Sequence, residues 1–396
     1  MTGKLAIEGG IPVRQAVLPY GHQSVDSADI AAVVEVLRGD WLTTGPKVGE
    51  LEAAWCDQSG AAHAVVVSSG TAALHAAAFA AGIRPGDEVI VPPITFAASA
   101  NCVLYQGGIP VFADVQPDTL NLNPAAAEAA VTPRTRAIVA VDYSGQPADL
   151  DDLRSLASRH GLILIEDAAH ALGATYRGRR VGSISDLTTF STHPVKHVTT
   201  GEGGVITTGS GELAKLMRWF RSHGITSDHR QRAEKGSWFY EMVALGYNYR
   251  LPDINCALGL SQLGKLDGWL VRRRAIAAAY TAAFAELPAI RPLAVRHDRE
   301  PAWHIYPVQL DLERLRVGRA QVMDALRAEN LGVNVHYIPV YWHPYYRDLG
   351  YRRGLCPAAE AAYERLVTLP LYAAMTERDV SDVIEAVAKV VAAYGR

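Results

Sequence analysis

The chain has 38 basic residues, and only seven are lysine against 31 arginines. One lysine, Lys196, stands in Ser191-Thr192-His193-Pro194-Val195-Lys196-His197, away from any charged helix face. Where positive charge alone is needed this chain uses arginine, so a primary amine in that setting points to amine chemistry. A lysine amine titrates near ~10.4 in water and attacks a carbonyl only where a site lowers that value or an imine is preformed. Two other features precede it. Ser68-Ser69-Gly70-Thr71 lies where an apolar run gives way to an alanine-rich stretch. Free N–H groups and the positive end of a helix dipole there would seat a phosphate, although a plain N-cap with a turn glycine uses the same residues. Asp167 closes the apolar run Leu164-Ile165-Glu166-Asp167. A carboxylate at that point could keep the nitrogen of a pyridine-type ring protonated, since an opposing charge shifts a pKa by roughly 1 to 3 units. The plainer alternative is an acid that caps a turn. Ser191, five residues before Lys196, could reach the same phosphate, and glycines 201, 203 and 204 permit close backbone approach. Phosphate seat, acid and Ser-x-x-x-x-Lys follow one another about 100 and 30 residues apart, an order that core packing does not explain.

These groups need a scaffold, and the pattern supplies one. Runs rich in β-branched residues at 64–67, 88–92, 111–114, 137–142, 162–166, 187–191 and 205–208 read as seven buried strands. Helical stretches at 71–81, 124–130 and 150–160 separate several of them, which predicts an α/β sheet with crossover helices. The last two strands follow closely and are expected to pair antiparallel. In open α/β sheets ligands bind beyond the carboxyl ends of the strands, where Asp167 and Ser191 fall. Before the sheet, 26–38 reads as a capped helix and 41–46 as an irregular loop. After it come a polar, aromatic insertion over 222–252 and one long helix over 253–287. Strands at 303–310 and 333–337 with helices at 319–329 and 377–394 then predict a small α+β domain. The expected division is 1–265 for the N-terminal segment and large domain, 266–288 for a linking helix and 289–396 for the small domain.

Composition narrows the function. Hydrophobic residues make up 49% of the chain and charged residues 20%, enough apolar side chain for a core and too little charge for general disorder. The formal charge of −3, with signs interspersed, gives no footprint for nucleic acid or an anionic membrane. No segment reads as a secretory leader or a bilayer span, so a cytoplasmic protein is expected. Cys56, Cys102, Cys256 and Cys356 lie far apart, and His63, His75, His160 and His223 show no ligand pairing, so no metal site is expected.

With these residues in place, the chain resembles the DegT/DnrJ/EryC1/StrS aminotransferases over essentially its whole length. The resemblance is carried by Trp41-Leu42-Thr43-Thr44-Gly45-Pro46, Ser69-Gly70-Thr71-Ala72-Ala73-Leu74-His75, Pro93-Ile94-Thr95-Phe96, Glu166-Asp167-Ala168-Ala169-His170, His193-Pro194-Val195-Lys196, Arg221-Ser222-His223-Gly224 and Gly246-Tyr247-Asn248-Tyr249-Arg250-Leu251. Within the family, Val335-His336-Tyr337-Ile338-Pro339 and the Lys196 run look most like the pseudaminic-acid branch, which aminates C4 of a UDP-linked 4-keto-6-deoxy sugar. The opening Lys4–Arg14 stretch departs from that branch and looks like the antibiotic-pathway members.

The resemblance implies fold type I of the pyridoxal-phosphate enzymes, with a mostly parallel seven-stranded sheet, helices on both faces and a smaller C-terminal α+β domain. It implies pyridoxal phosphate as cofactor, alternating with pyridoxamine phosphate. Lys196 would be the Schiff-base lysine and then the proton carrier, and Asp167 the partner of the ring nitrogen. Gly70, Thr71 and Ser191 would bind phosphate, Phe96 would lie on the ring face, and His170 would sit near the ring. Asn248 would reach the phosphate of the partner subunit in a homodimer with shared active sites. Tyr20, Trp41, Leu42, Thr43, His336, Tyr337, Ile338 and Pro339 match positions that contact the nucleotide sugar. The implied reaction moves an amino group from an amino acid, glutamate by family habit, to a keto group of a nucleotide-linked sugar. Alternatives within the family are another ketone position or a cyclitol ketone in antibiotic biosynthesis. Sugar dehydratases of this superfamily carry histidine in place of the lysine, and Lys196 argues against them. A further alternative is a non-catalytic regulatory relative that only binds the cofactor, and the intact Lys196, Asp167 and Ser191 argue against it.

Overall fold

The computed structural model describes residues 4–227, 232 and 236–396. Within the insertion expected over 222–252, residues 228–231 and 233–235 therefore lie outside the described residues, as do 1–3 of the opening stretch. The chain opens with helices α1 (Ser27–Arg38) and α2 (Pro46–Ser59). It then alternates β1 (His63–Val67), α3 (Gly70–Ala80), β2 (Glu88–Val91), α4 (Ala98–Tyr105), β3 (Ile109–Phe112), α5 (Pro124–Ala129), β4 (Thr135–Val141), α6 (Leu150–His160) and β5 (Ile163–Asp167). The short hairpin β6 (Thr175–Tyr176) and β7 (Arg179–Arg180) precedes β8 (Leu187–Ser191), β9 (Gly204–Thr208) and α7 (Gly211–Arg221).

All seven expected strands lie in one sheet of order β1-β9-β8-β5-β4-β2-β3. Pairing is parallel from β3 through β8, and β9 runs antiparallel to both β8 and β1. The long apolar strands explain this arrangement, because a parallel sheet must be covered on both faces. Separate apolar clusters do so. One packs Val65, Val139 and Ile165 against the alanines of α3 and Met217 of α7. Others hold Ala64, Val66 and Phe190 against Trp55 of α2, and Ile138 and Leu164 against Leu153 and Leu156 of α6.

The C-terminal part builds a second core. Strand β10 (Ile290–Pro292) pairs with β12 (Tyr306–Leu310), and β12 with β13 (Leu366–Leu369), all antiparallel, while β11 (Arg299–Glu300) joins the β6–β7 hairpin. The helices Arg319–Ala328 and Glu377–Tyr394 cover the β10-β12-β13 sheet with Val322, Leu326, Val383, Val387 and Val390. Leu5 and Leu18 of the N-terminal segment pack into this same core, with Ile276, Tyr280 and Phe284 of a preceding helix.

Two expectations are corrected. The helix expected over 253–287 is two helices, Asp253–Leu263 and Leu266–Phe284, broken at Gly264 and Lys265. The break turns Lys265 toward α1, where Nζ lies 2.6 Å from Asp26 and 2.8 Å from the buried Asp29. The strand expected over 333–337 does not form: the segment is irregular, bends at His336 and has only an isolated bridge from Asn334 to Thr368. Its backbone instead follows the rim of the site described next. No helix among the described residues is long and apolar enough to cross a membrane.

Candidate active site

The carboxyl ends of β1, β5 and β8 open onto one cavity of about 550 Å³, within the size range of small-molecule sites. At its floor, β1 ends at Val67 and α3 begins at Gly70, with Ser69 as N-cap accepting from Ala72 N at 3.0 Å. The first N–H groups of the helix, those of Gly70 and Thr71, have no intrahelical acceptor and face the cavity. Strands β8 and β9 press close on this turn, through Ser191 and Gly204. A Cβ on Gly70 would lie 2.9 Å from Ser191 Cβ, and one on Gly204 would lie 2.2 Å from Ser69 O. The glycines thus bring two serines and two free amides around one spot, a cradle for a phosphate.

Asp167 ends β5, 6% exposed. Its Oδ2 accepts from Ser99 Oγ at 2.6 Å and its Oδ1 from Ala169 N at 3.1 Å. Burial raises the carboxyl above the ordinary aspartate value, and the Ser99 and Ala169 hydrogen bonds and the Lys196 charge work against that rise. Lys196 follows β8 in a tight loop, its own N–H donating to His193 O at 2.9 Å. The loop is closed by Thr192 N to Gly203 O at 2.9 Å and by the Thr192 and Thr200 hydroxyls at 2.6 Å. Burial lowers the Lys196 amine to about 8, with Asp167 opposing. An amine so placed is still mostly protonated at neutral pH and becomes substantially unprotonated at mildly basic pH, the form that attacks a carbonyl.

Around Lys196 stand four buried imidazoles: His170, His197, His304 and His336. Burial depresses all of them, His336 to about 4 and the others well below the ordinary histidine value, so each is neutral. His170 meets Tyr337 Oη at 3.1 Å, and Tyr143 Oη donates to His336 O. Phe96, 61% exposed on the protein surface as a whole, turns its ring over the opening, 6.2 Å centroid to centroid from Tyr337.

Of the residues singled out in the sequence, Gly70, Thr71, Phe96, Asp167, His170, Ser191, Lys196, Tyr20, His336 and Tyr337 line this cavity together. Trp41, Leu42, Thr43, Ile338 and Pro339 do not line it, and neither does Asn248, which is exposed and bridges Ser222. Sequence reasoning missed Ser99 and His304. Ser99 follows Phe96 by three residues, on the first turn of α4, a spacing that could have flagged it. His304 has no local signal, because its place is fixed by distant backbone.

Pyridoxal phosphate, the cofactor implied by the resemblance, fits this donor set. The Gly70 and Gly204 cradle takes an anion, Asp167 offers a buried carboxylate with no fixed cation other than Lys196 opposite it, and Lys196 offers a deprotonable amine to the same space. The match to known proteins runs the same way. The family model of the DegT/DnrJ/EryC1/StrS aminotransferases matches residues 23–388. The spore coat polysaccharide biosynthesis protein SpsC of Bacillus subtilis is 44% identical over 381 residues, covering 96% of this chain and 98% of that protein. Among solved structures, Helicobacter pylori PseC, an aminotransferase of pseudaminic acid biosynthesis, superimposes with a TM-score of 0.89 at 31% identity, over 96% of this chain and all of its own. The PMP-form of Streptococcus pneumoniae Spr1654 gives 0.90 at 33% identity, over 95% of this chain and 99% of that one.

Proposed function

The chain belongs to the DegT/DnrJ/EryC1/StrS aminotransferase family, a pyridoxal-phosphate-dependent sugar aminotransferase, and from that premise we propose that it transfers the amino group of L-glutamate to C4 of a nucleotide-linked 4-keto-6-deoxy sugar. One observation carries the reading: the Lys196 amine, the Asp167 carboxylate and the Gly70–Thr71 amides face a single cavity. The choice of sugar draws on the likeness to PseC and on the stretch Val335-His336-Tyr337-Ile338-Pro339. We further take the enzyme to be a cytoplasmic homodimer, divided into 1–265, 266–288 and 289–396, with Leu5 and Leu18 packed on the small domain's core.

Bound pyridoxal phosphate supplies an electron sink for negative charge developing on the carbon next to the transferred nitrogen. Gly70, Thr71 and Ser191 would hold the phosphate, and Asp167, whose carboxyl accepts from Ser99 and Ala169, would pair with the ring nitrogen. Lys196 is the covalent anchor. Once released, its Nζ takes and returns the proton in both halves of the reaction, a role suited to an amine lowered to about 8. Phe96 and the neutral His170, both in the cavity wall, would bound the cofactor's ring. Tyr20, His336 and Tyr337 at the rim, and the Trp41-Leu42-Thr43 loop with Ile338 and Pro339, contact the nucleotide sugar. Asn248 completes the phosphate site of the partner subunit.

Lys196→Ala should lose the absorbance band of the lysine imine and fall in turnover by several orders of magnitude, whereas borohydride should fix the cofactor on Lys196 of the native enzyme. Turnover retained by the variant would sink the assignment of Lys196. For the substrate, the glutamate-aminated enzyme is mixed with keto-sugar nucleotides carrying the ketone at C3 or at C4. Recovery of the visible band with the C4 set alone is expected, and recovery with the C3 set alone contradicts the proposed position.

A further inference from the structure

We propose that His304 is a positioning residue for Lys196: its Nε2 accepts one N–H of the free amine and so turns the nitrogen lone pair toward the cavity. The inference rests on the role given to Lys196 above. His304 Nε2 lies 3.5 Å from Lys196 Nζ, and both side chains line the cavity.

The backbone behind His304 is strained and over-determined. Trp303 has φ 53° and Ser144 φ 57°, in the left-handed region that residues with a Cβ avoid. The two segments hold each other, Ala302 N donating to Gly145 O at 2.9 Å and His304 N to Ser144 O at 3.0 Å. Gly145 has φ 102°, and a Cβ there would lie 2.6 Å from Trp303 N and from His170 O. From the other side the buried Arg273 donates through Nη1 to Trp303 O at 3.1 Å and His304 O at 3.2 Å. His197 Nε2 lies 3.0 Å from Ala302 O. Strain of this kind persists only where the surroundings fix it, and it collects at functional sites. Here it delivers one imidazole to one amine.

The ring suits the task. Burial, with the positive charges of Lys196 and Arg273 nearby, keeps His304 neutral, so Nε2 can accept. Nδ1, without a hydrogen-bond partner among the described residues, then carries the ring proton beside His170, whose ring centroid is 4.5 Å away. The other buried titratable groups around Lys196 are Asp167 and Tyr337, whose pKa values burial raises, and His170, His197 and His336, which burial keeps neutral. A lysine on four flexible bonds otherwise samples many directions, and a misplacement of about 1 Å can cost about 10²-fold in rate.

The test uses the full-length holoenzyme with His304→Phe, His304→Asn and His304→Gln. Each protein is converted by glutamate to the aminated form, in which Lys196 is free, and Lys196 is labelled with acetic anhydride across pH and read by peptide mass. Phe removes the acceptor and Asn is too short to reach, so both should lower the labelling midpoint by about one pH unit, the size of one lost hydrogen bond to the ammonium. Both should cut kcat of the glutamate half-reaction by about 10- to 100-fold with KM changed less than about threefold. Gln, which retains an acceptor at similar reach, should recover at least about tenfold of that loss. If Phe does not fold, by circular dichroism, Asn decides. A midpoint that stays put or rises, or kcat within about twofold of native for the folded variants, overturns the inference. Failure of borohydride to fix the cofactor on Lys196 in native enzyme would instead overturn the reading beneath it.

Discussion

At Asp167 two influences oppose each other, and burial prevails to raise the carboxyl above the ordinary aspartate value. Burial favours the neutral acid, and the largest opposing influence is the hydroxyl of Ser99 at 2.6 Å. Removing that hydroxyl should therefore raise the carboxyl further. The ring nitrogen needs the ionised form, which is present above the Asp167 pKa and lost as pH falls through it. Uptake of pyridoxal phosphate by cofactor-stripped protein should thus decline on the acid side, and Ser99→Ala should move that decline upward by about one pH unit. Fluorescence titrations of native and variant protein across pH measure the difference, which cancels the cofactor's own phosphate titration. An identical acid limb in the two proteins would show that Ser99 does not tune Asp167. The residue scale also shows how far a sequence reaches. Asp167 and Lys196 announce themselves because each follows an apolar strand and faces the ligand end of the sheet. Ser99 and His304 act across 68 and 108 residues of chain; Ser99 had only its spacing from Phe96 to mark it, and His304 had no local mark at all.

Elements are tied to one another by a few buried acids. Asp253, fully buried at the start of the helix Asp253–Leu263, accepts from Gly45 N at 2.8 Å and Lys47 N at 2.9 Å, and so caps α2 from a distant part of the chain. Its own N–H donates to Leu42 O at 3.0 Å. Gly45 admits this approach, since a Cβ there would lie 2.6 Å from the carboxylate. Asp253→Ala should cost about 1–2 kcal/mol, the range for a lost N-cap, and appear as a lower urea midpoint with an unchanged m value. An unchanged midpoint would mean that water replaces the cap. The seven main strands were legible because double-sided burial demands continuous β-branched runs. The edges of the fold were not. Alanine-rich periodicity runs on through Gly264, and what breaks the helix there is Lys265 reaching Asp26 and Asp29 on α1. The segment 333–337 has strand-like residues, yet its side chains His336 and Tyr337 serve the cavity, and only Asn334 pairs, with Thr368. Strand β13 escaped notice because Leu366–Leu369 is short and runs straight into proline 370.

At the scale of the molecule, the described part of the insertion is too apolar for an isolated protomer. Trp238 is 84% exposed and Leu245 77%, with Phe239, Tyr240, Met242 and Val243 also open to solvent. Large aromatic and aliphatic groups gathered on one arm mark an interaction surface. Asn248 follows on the same arm, exposed and not lining its own chain's cavity, while Tyr249 O anchors the arm by accepting from Ser68 N at 2.8 Å. A homodimer would cover the arm and carry Asn248 to the neighbouring phosphate cradle. The claim has a sharp consequence for mixtures. Lys196→Ala and Asn248→Ala proteins should each be nearly inactive alone. In a mixed dimer with exchanged arms, one site loses both residues and the other keeps both. Co-expression in equal amounts should then restore about a quarter of native activity, half the dimers being mixed and each having one whole site. Differently tagged subunits allow the mixed dimer to be isolated and assayed directly. If Asn248 instead served its own protomer, every site in the mixed dimer would lack one residue, and its activity would stay at the level of the parents.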